Sequence, residues 1–211
     1  MRISIGWLVL AAALGADGPQ PARLCESNAP LALPSLPGEC QAAFDVAIDS
    51  RGSVTGVRRL YGNTPLTSAL ETSVARWDFE PAKSNGVRKA SRVLVAALCR
   101  APALYRIGPH GPPDVTLLAP PGVPIPIAVS PPAYPVRAPG VGAVIVEVEI
   151  GPLGHVRSAQ VVGRRTAFDG AAEQAARAWR FLPGRRQSRA VPTFAYLVFG
   201  FPEPTLAAGP E

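Results

Sequence analysis

Few side chains in this chain could do chemistry. Its 211 residues include two histidines, His110 and His155, and three cysteines, Cys25, Cys40 and Cys99. Nucleophilic hydrolysis needs a base held against the nucleophile, yet His110 falls in a proline-rich stretch and His155 follows a turn at Gly154. The His and Cys spacing fits no zinc pattern, so no metal and no other cofactor is expected. Glu147 and Glu149 share one face of an alternating segment. There they read as solvated carboxylates rather than an acid–base pair. No phosphate-cradling glycine loop is present. These readings exclude an enzyme and a small-molecule substrate. The formal charge of +6 is spread along the chain without interleaved aromatics, which argues against nucleic acid.

Composition narrows the fold. With 25 prolines and 20 glycines a helical bundle is ruled out, and 47% hydrophobic residues rule out a disordered chain. Met1 and Arg2 precede an apolar run, Ile3 to Leu14, with small residues at Ala13 and Gly15. This predicts a secretory signal over residues 1–16, with an uncleaved inner-membrane anchor as the lesser alternative, since the run is shorter than the roughly 18 residues of a bilayer span. In a host with two membranes the destination is the periplasm, where disulfides persist.

Shifting the chain by 102 residues lays segment 40–99 over 142–201 without a gap. It matches Val46 with Val148, Ile48 with Ile150, Gly52 with Gly154, Trp77 with Trp179, Phe79 with Phe181 and Pro81 with Pro183. Such register marks an internal repeat. Each copy reads as strand, tight turn, strand, helix, strand. Val144, Val146, Val148 and Ile150 alternate with Glu147 and Glu149, the period of a half-buried strand. Thr166 and Asp169 have capping-box spacing, and Thr64-Pro65 caps the first helix. Both helices carry an apolar stripe: Leu66, Leu70, Val74 and Trp77 in the first, Phe168, Ala172, Ala175 and Trp179 in the second. Pro183-Gly184 is expected to stop the second helix. Both tryptophans are read as core.

The expected class is α+β: two tandem β-β-α-β units, each a three-stranded antiparallel sheet of order 2-1-3 with one helix on one face. That order sets the start of strand one, Cys40, beside the end of strand three, Cys99. A disulfide there would close a loop of about 60 residues and stabilise by roughly 4 kcal/mol, leaving Cys25 over. The chain divides into the signal (1–16), an extended segment (17–39), the first unit (40–101), a proline-rich linker (102–130), the second unit (131–203) and a tail (204–211). The linker reads as a stiff spacer able to hold the units apart, with 114–119 and 122–129 apolar enough to add strands.

In the second unit, Tyr134-Pro135, the hairpin with Gly154, Asp169, and Trp179-Arg180-Phe181-Leu182-Pro183-Gly184 resemble the TonB C-terminal domain family. The first unit resembles a degenerate copy: Trp77-Asp78-Phe79-Glu80-Pro81 matches, but no Tyr-Pro precedes Cys40. The resemblance implies a periplasmic module that pairs its third strand with an extended segment of an outer-membrane receptor or transporter, linked to force-driven transmembrane transport. The family's transducers also carry an anchor with a His that engages a proton-driven motor; residues 1–16 contain no His. Independently, order 2-1-3 makes the third strand an edge open to strand addition. The expected contact strand runs through Val191, Thr193, Phe194, Ala195, Tyr196 and Leu197, with Arg185, Arg186 and Arg189 placed to steer an acidic partner. The rival reading is an envelope scaffold in which the units pack on each other or dimerise. A third is a peptidoglycan adaptor using the arginines.

Overall fold

The computed structural model describes residues 19–25, 40–62, 65–99, 120–135, 138 and 140–201. The signal at 1–16, Thr64, the strand expected over 114–119 and the tail lie outside the described residues. In chain order the elements are β1 (Arg23–Leu24), β2 (Cys40–Ile48), β3 (Val54–Tyr61), α1 (Pro65–Val74), β4 (Phe79–Glu80), β5 (Ala82–Ser84), β6 (Val87–Lys89) and β7 (Ser91–Cys99). They continue with β8 (Ile125–Ala128), β9 (Gly142–Ile150), β10 (Val156–Val162), α2 (Asp169–Ala178), β11 (Arg180–Leu182), β12 (Arg185–Arg186), β13 (Arg189–Ala190) and β14 (Thr193–Phe201). The class is α+β, mostly strand with two helices.

Within each repeat the strands run β3-β2-β7 and β10-β9-β14, antiparallel throughout. The expected pair of separate three-stranded sheets is corrected, as is the expectation that a stiff linker holds the units apart. Strands β7 and β14 pair with each other in parallel, from Leu94 opposite Ala195 to Cys99 opposite Gly200. The result is one six-stranded mixed sheet of order β10-β9-β14-β7-β2-β3. The physical reason is that both third strands are apolar on both faces, so either one left at an edge would expose a row of large side chains.

The helices lie over opposite faces. On one, Ala172, Ala176 and Trp179 pack on Val146, Val148 and Leu197, joined by Leu94, Ala96 and Leu98 of the other repeat. On the other, Leu70, Val74 and Trp77 pack on Phe44 and Val46, joined by Tyr196 and Val198. Each core therefore takes a strand from both repeats.

The shared glycines have a local cause. Gly52 and Gly154 have φ of 100° and 80°, in the region that penalises a Cβ. Their carbonyls accept the N–H of Phe79 and of Phe181, each at 2.9 Å. A Cβ at either would lie 1.7 or 1.8 Å from that same phenylalanine's carbonyl oxygen. The hairpin turn is thus fastened to the Trp-x-Phe segment, whose two tryptophans are each 1% exposed, in the core as expected.

That fastening also ends α2 earlier than Pro183-Gly184 suggests. Trp179 is already extended, with ψ 152°, its indole N–H donates to the Ser130 carbonyl at 2.9 Å, and β11 pairs with β8. Val123, Ile125 and Val129 join this core, so part of the supposed linker belongs to the second unit. At the start of α2, the Asp169 carboxylate accepts the Thr166 N–H at 3.1 Å. The Thr166 hydroxyl accepts the N–H of Phe168, at 3.1 Å, one residue earlier than a full capping box requires. Tyr134 packs edge-on against Phe168 and Phe201, and its hydroxyl donates to the Gly140 carbonyl.

Gly154→Ala is expected to destabilise by at least about 2 kcal/mol, since both φ and the carbonyl contact oppose a Cβ. Gly163→Ala, with φ 95° and no atom within 4 Å, should lose only the φ component. Thermal unfolding of the two variants checks the difference.

Candidate interaction surface

Strand β14, expected to be a free edge, is internal. It pairs with β9 at nine positions and with β7 at six, and Ala195, Tyr196 and Leu197 are 0% exposed. Val191 precedes the strand, with its N–H donated to the Gly184 carbonyl at 3.0 Å. Thr193 and Phe194 are half-buried, and the Arg23 guanidinium lies 5.8 Å from the Phe194 ring centre. The edge expectation is corrected here. What would have been the docking strand of the second unit is already matched by the third strand of the first.

A short segment locks this seam. β1 pairs with β4 of the first repeat, while its Leu24 N–H donates to the Tyr196 hydroxyl of the second at 2.8 Å. That hydroxyl in turn donates to the Glu147 carboxylate at 2.8 Å, and Arg23 ion-pairs with the same carboxylate at 3.2 Å. Burial, followed by the Glu147 charge, pushes the Tyr196 phenol well above its usual range. Glu147 is therefore not the solvated strand carboxylate expected, for its side chain is 11% exposed. The first repeat places Asp45 at the equivalent position, 102 residues earlier, fully buried and gripped by Arg58 at 3.1 Å and by Arg92. Each repeat thus sinks one carboxylate into the sheet face opposite its own helix, where arginine neutralises it, from the same repeat for Asp45 and from the N-terminal segment for Glu147. Reading the sequence missed this pair. The 102-residue shift lays an acid on an acid there, which was the available signal.

The sheet's outer edges are β3 and β10. β3 shifts register twice against β2 and carries Arg58 and Arg59, the latter paired with Glu71. β10 has an irregularity between Val156 and Ser158, and Arg177 donates to its Ala159 carbonyl at 3.2 Å. Bulges and edge charges of this kind discourage strand addition.

Arg185, Arg186 and Arg189 lie exposed on the two-residue hairpin β12–β13. The first repeat has a counterpart, β5–β6, with Lys83, Arg88 and Lys89, which sequence reading did not single out. Cys40 stands directly opposite Cys99 in the β2–β7 ladder. Cys25 is free, its thiol pushed up by burial and by Glu80 and Asp78. Among the described residues no three of His, Cys, Asp and Glu gather to hold a metal, and no helix is long and apolar enough to cross a membrane.

Residues 130–201 match the family model for the Gram-negative bacterial TonB protein C-terminal. The second unit is a TonB C-terminal domain. The match opens at Ser130, whose carbonyl holds Trp179, and closes at Phe201, the last residue of β14. Tyr134, Pro135, Gly154, Trp179, Phe181 and Pro183 all lie within it, and most are engaged in the packing just described. No curated protein matches the chain. Membership of the TonB C-terminal family ties this unit to the Gram-negative envelope and to contacts between proteins there.

Because β14 has ladder partners on both sides, Leu197→Pro is expected to abolish folding rather than remove one contact. Circular dichroism of the variant should show loss of both units together, whereas a free edge strand would tolerate the change.

Proposed function

We propose that the chain is a non-catalytic, periplasmic protein-interaction module of TonB type whose own first repeat fills the pairing edge of its second. The observation that carries this reading is the parallel β7–β14 ladder, buried on both faces. It favours the scaffold alternative over simple capture of a peptide on β14. An extended segment from an outer-membrane receptor or transporter would gain that strand only by displacing β7, and any part in energy transduction would run through that exchange.

The test is a titration of the isotope-labelled protein with N-terminal peptides of outer-membrane transporters, followed by NMR, with light scattering alongside. The expected result is a monomer whose β14 amides do not shift. Saturable shifts along Thr193 to Phe201, with β7 amides losing exchange protection, would establish peptide capture instead.

The same proposal includes a Cys40–Cys99 disulfide. Directly opposed residues of an antiparallel pair have Cα atoms about 4.5–5.5 Å apart, inside the span a disulfide accepts, and Cys99 is not among the free cysteines. Thiol titration of the unreduced, denatured protein should find one free thiol, on Cys25. Three would refute the bridge.

A further inference from the structure

Both basic hairpins stand at one end of the sheet. β5–β6 leads directly into β7 and β12–β13 into β14, and these two strands are parallel neighbours. Residues 82–89 and 185–190 together hold six cationic side chains, both lysines of the protein among them, and no carboxylate. Both hairpins are tight: Asn85 and Gly86 have φ of 52° and 74°, Gln187 and Ser188 of 49° and 63°, the two-residue turn that matches strand twist. Gln187 and Ser188 are side chains that rarely adopt this conformation, so the second hairpin keeps its short, projecting form against a local strain.

The same end gathers exposed apolar side chains. The β9–β10 turn is here, since Ile150 pairs with Thr193, and it presents Leu153 at 86% exposure. Val87, 60% exposed, follows the first hairpin's tip, and Leu182, 38% exposed, sits just before the second. Of the other exposed large apolar residues, Ile127 is on β8 beside β11 and Val141 is at the far end, next to Gly142. Four acids share this end, each with a neighbour of its own. Asp49 accepts N–H bonds from Arg51 and Ser53 in its own turn, and Glu149 faces Arg157 at 3.9 Å. Asp78 and Glu80 lie beside Cys25. Arg51, His155 and Arg157 add positive or titratable groups.

From this juxtaposition we propose that the hairpin end of the sheet is a docking surface for an anionic phospholipid bilayer. Clustered Lys and Arg are drawn to the negative potential of such a surface, and their contributions add. A purely glycan or peptide polyanion would explain the charges but not leucine and valine projecting among them, whereas a headgroup layer accepts both. The reading goes beyond the protein contacts proposed above and does not depend on them.

The test is cosedimentation of the full protein with vesicles of mixed phosphatidylglycerol and phosphatidylethanolamine, against vesicles of phosphatidylcholine alone. Binding is expected only to the anionic vesicles, weakening as salt rises. The triple variants Arg185→Gln/Arg186→Gln/Arg189→Gln and Lys83→Gln/Arg88→Gln/Lys89→Gln should each weaken binding by up to about a hundredfold while melting as the parent does. Orientation is read from Leu153→Trp and, at the opposite end, Val141→Trp. Tryptophan emission should move to the blue on anionic vesicles for the first and stay unchanged for the second. No binding to anionic vesicles, binding indifferent to both triple variants, a shift at Val141→Trp alone, or sedimentation only with peptidoglycan sacculi would each overturn the proposal.

Discussion

A strand that is apolar on both faces has to be covered on three sides: by a layer above, by a layer below and by a neighbour along its open edge. Both third strands of this chain are of that kind, and each supplies the missing neighbour of the other. Fully burying a leucine or phenylalanine is worth about 1.5–3 kcal/mol. The run Ala195 to Phe199 with Leu94 to Leu98, all buried, therefore outweighs whatever the linker would gain by holding the units apart. The opposite placement of the helices and the mixed composition of each core follow from this one ladder, as does the loss of a free edge on the TonB-type unit.

Polar groups near the seam obey the same constraint from the other direction. Once β7 and β14 meet, the sheet faces beyond each helix are partly shut from water, and an acid there must find its counter-charge within the protein. Arg58 and Arg92 provide it for Asp45, while the N-terminal segment brings Arg23 to Glu147. The latter arrangement also satisfies the Tyr196 hydroxyl. Residues 23–24 thus bridge the two repeats, holding β4 by backbone and the second unit by side-chain contacts.

Much of this was legible in the sequence because it is local. Period-2 alternation placed β9, helical stripes placed α1 and α2, and repeat spacing picked out Gly52, Gly154 and both tryptophans. Strand order within each unit followed from chain length and handed Cys40 to Cys99. What stayed hidden is what the repeats do to each other. The sequence showed that β14 was apolar on both sides, and the same was visible for β7, but no local pattern says that one such strand will choose the other over a foreign partner. Glu147 was misjudged for the same reason: alternation says which way a side chain points, not what another segment later lays over it. The β5–β6 hairpin was passed over because its lysines and arginine become a feature only when parallel pairing sets them beside those of β12–β13.

The register of the seam bears on why the unit occurs twice in one polypeptide. Ala195 lies opposite Leu94, one position past Val93, its counterpart under the 102-residue shift. Rotating one strand onto a parallel neighbour by a two-fold axis along the sheet carries every pleat to its opposite phase, and a parallel ladder requires the phases to agree. Two identical molecules could not meet this way as equals, for one must lag by a residue, about 3.3 Å. Duplication followed by divergence removes the difficulty, because each half can then hold what its own side of an unequal join demands. Gly200 is such a residue. It is the counterpart of Leu98, yet a Cβ there would come within 2.9 Å of the Cys99 side chain. One chain can keep leucine at one position and glycine at its counterpart, which two copies of a single unit cannot.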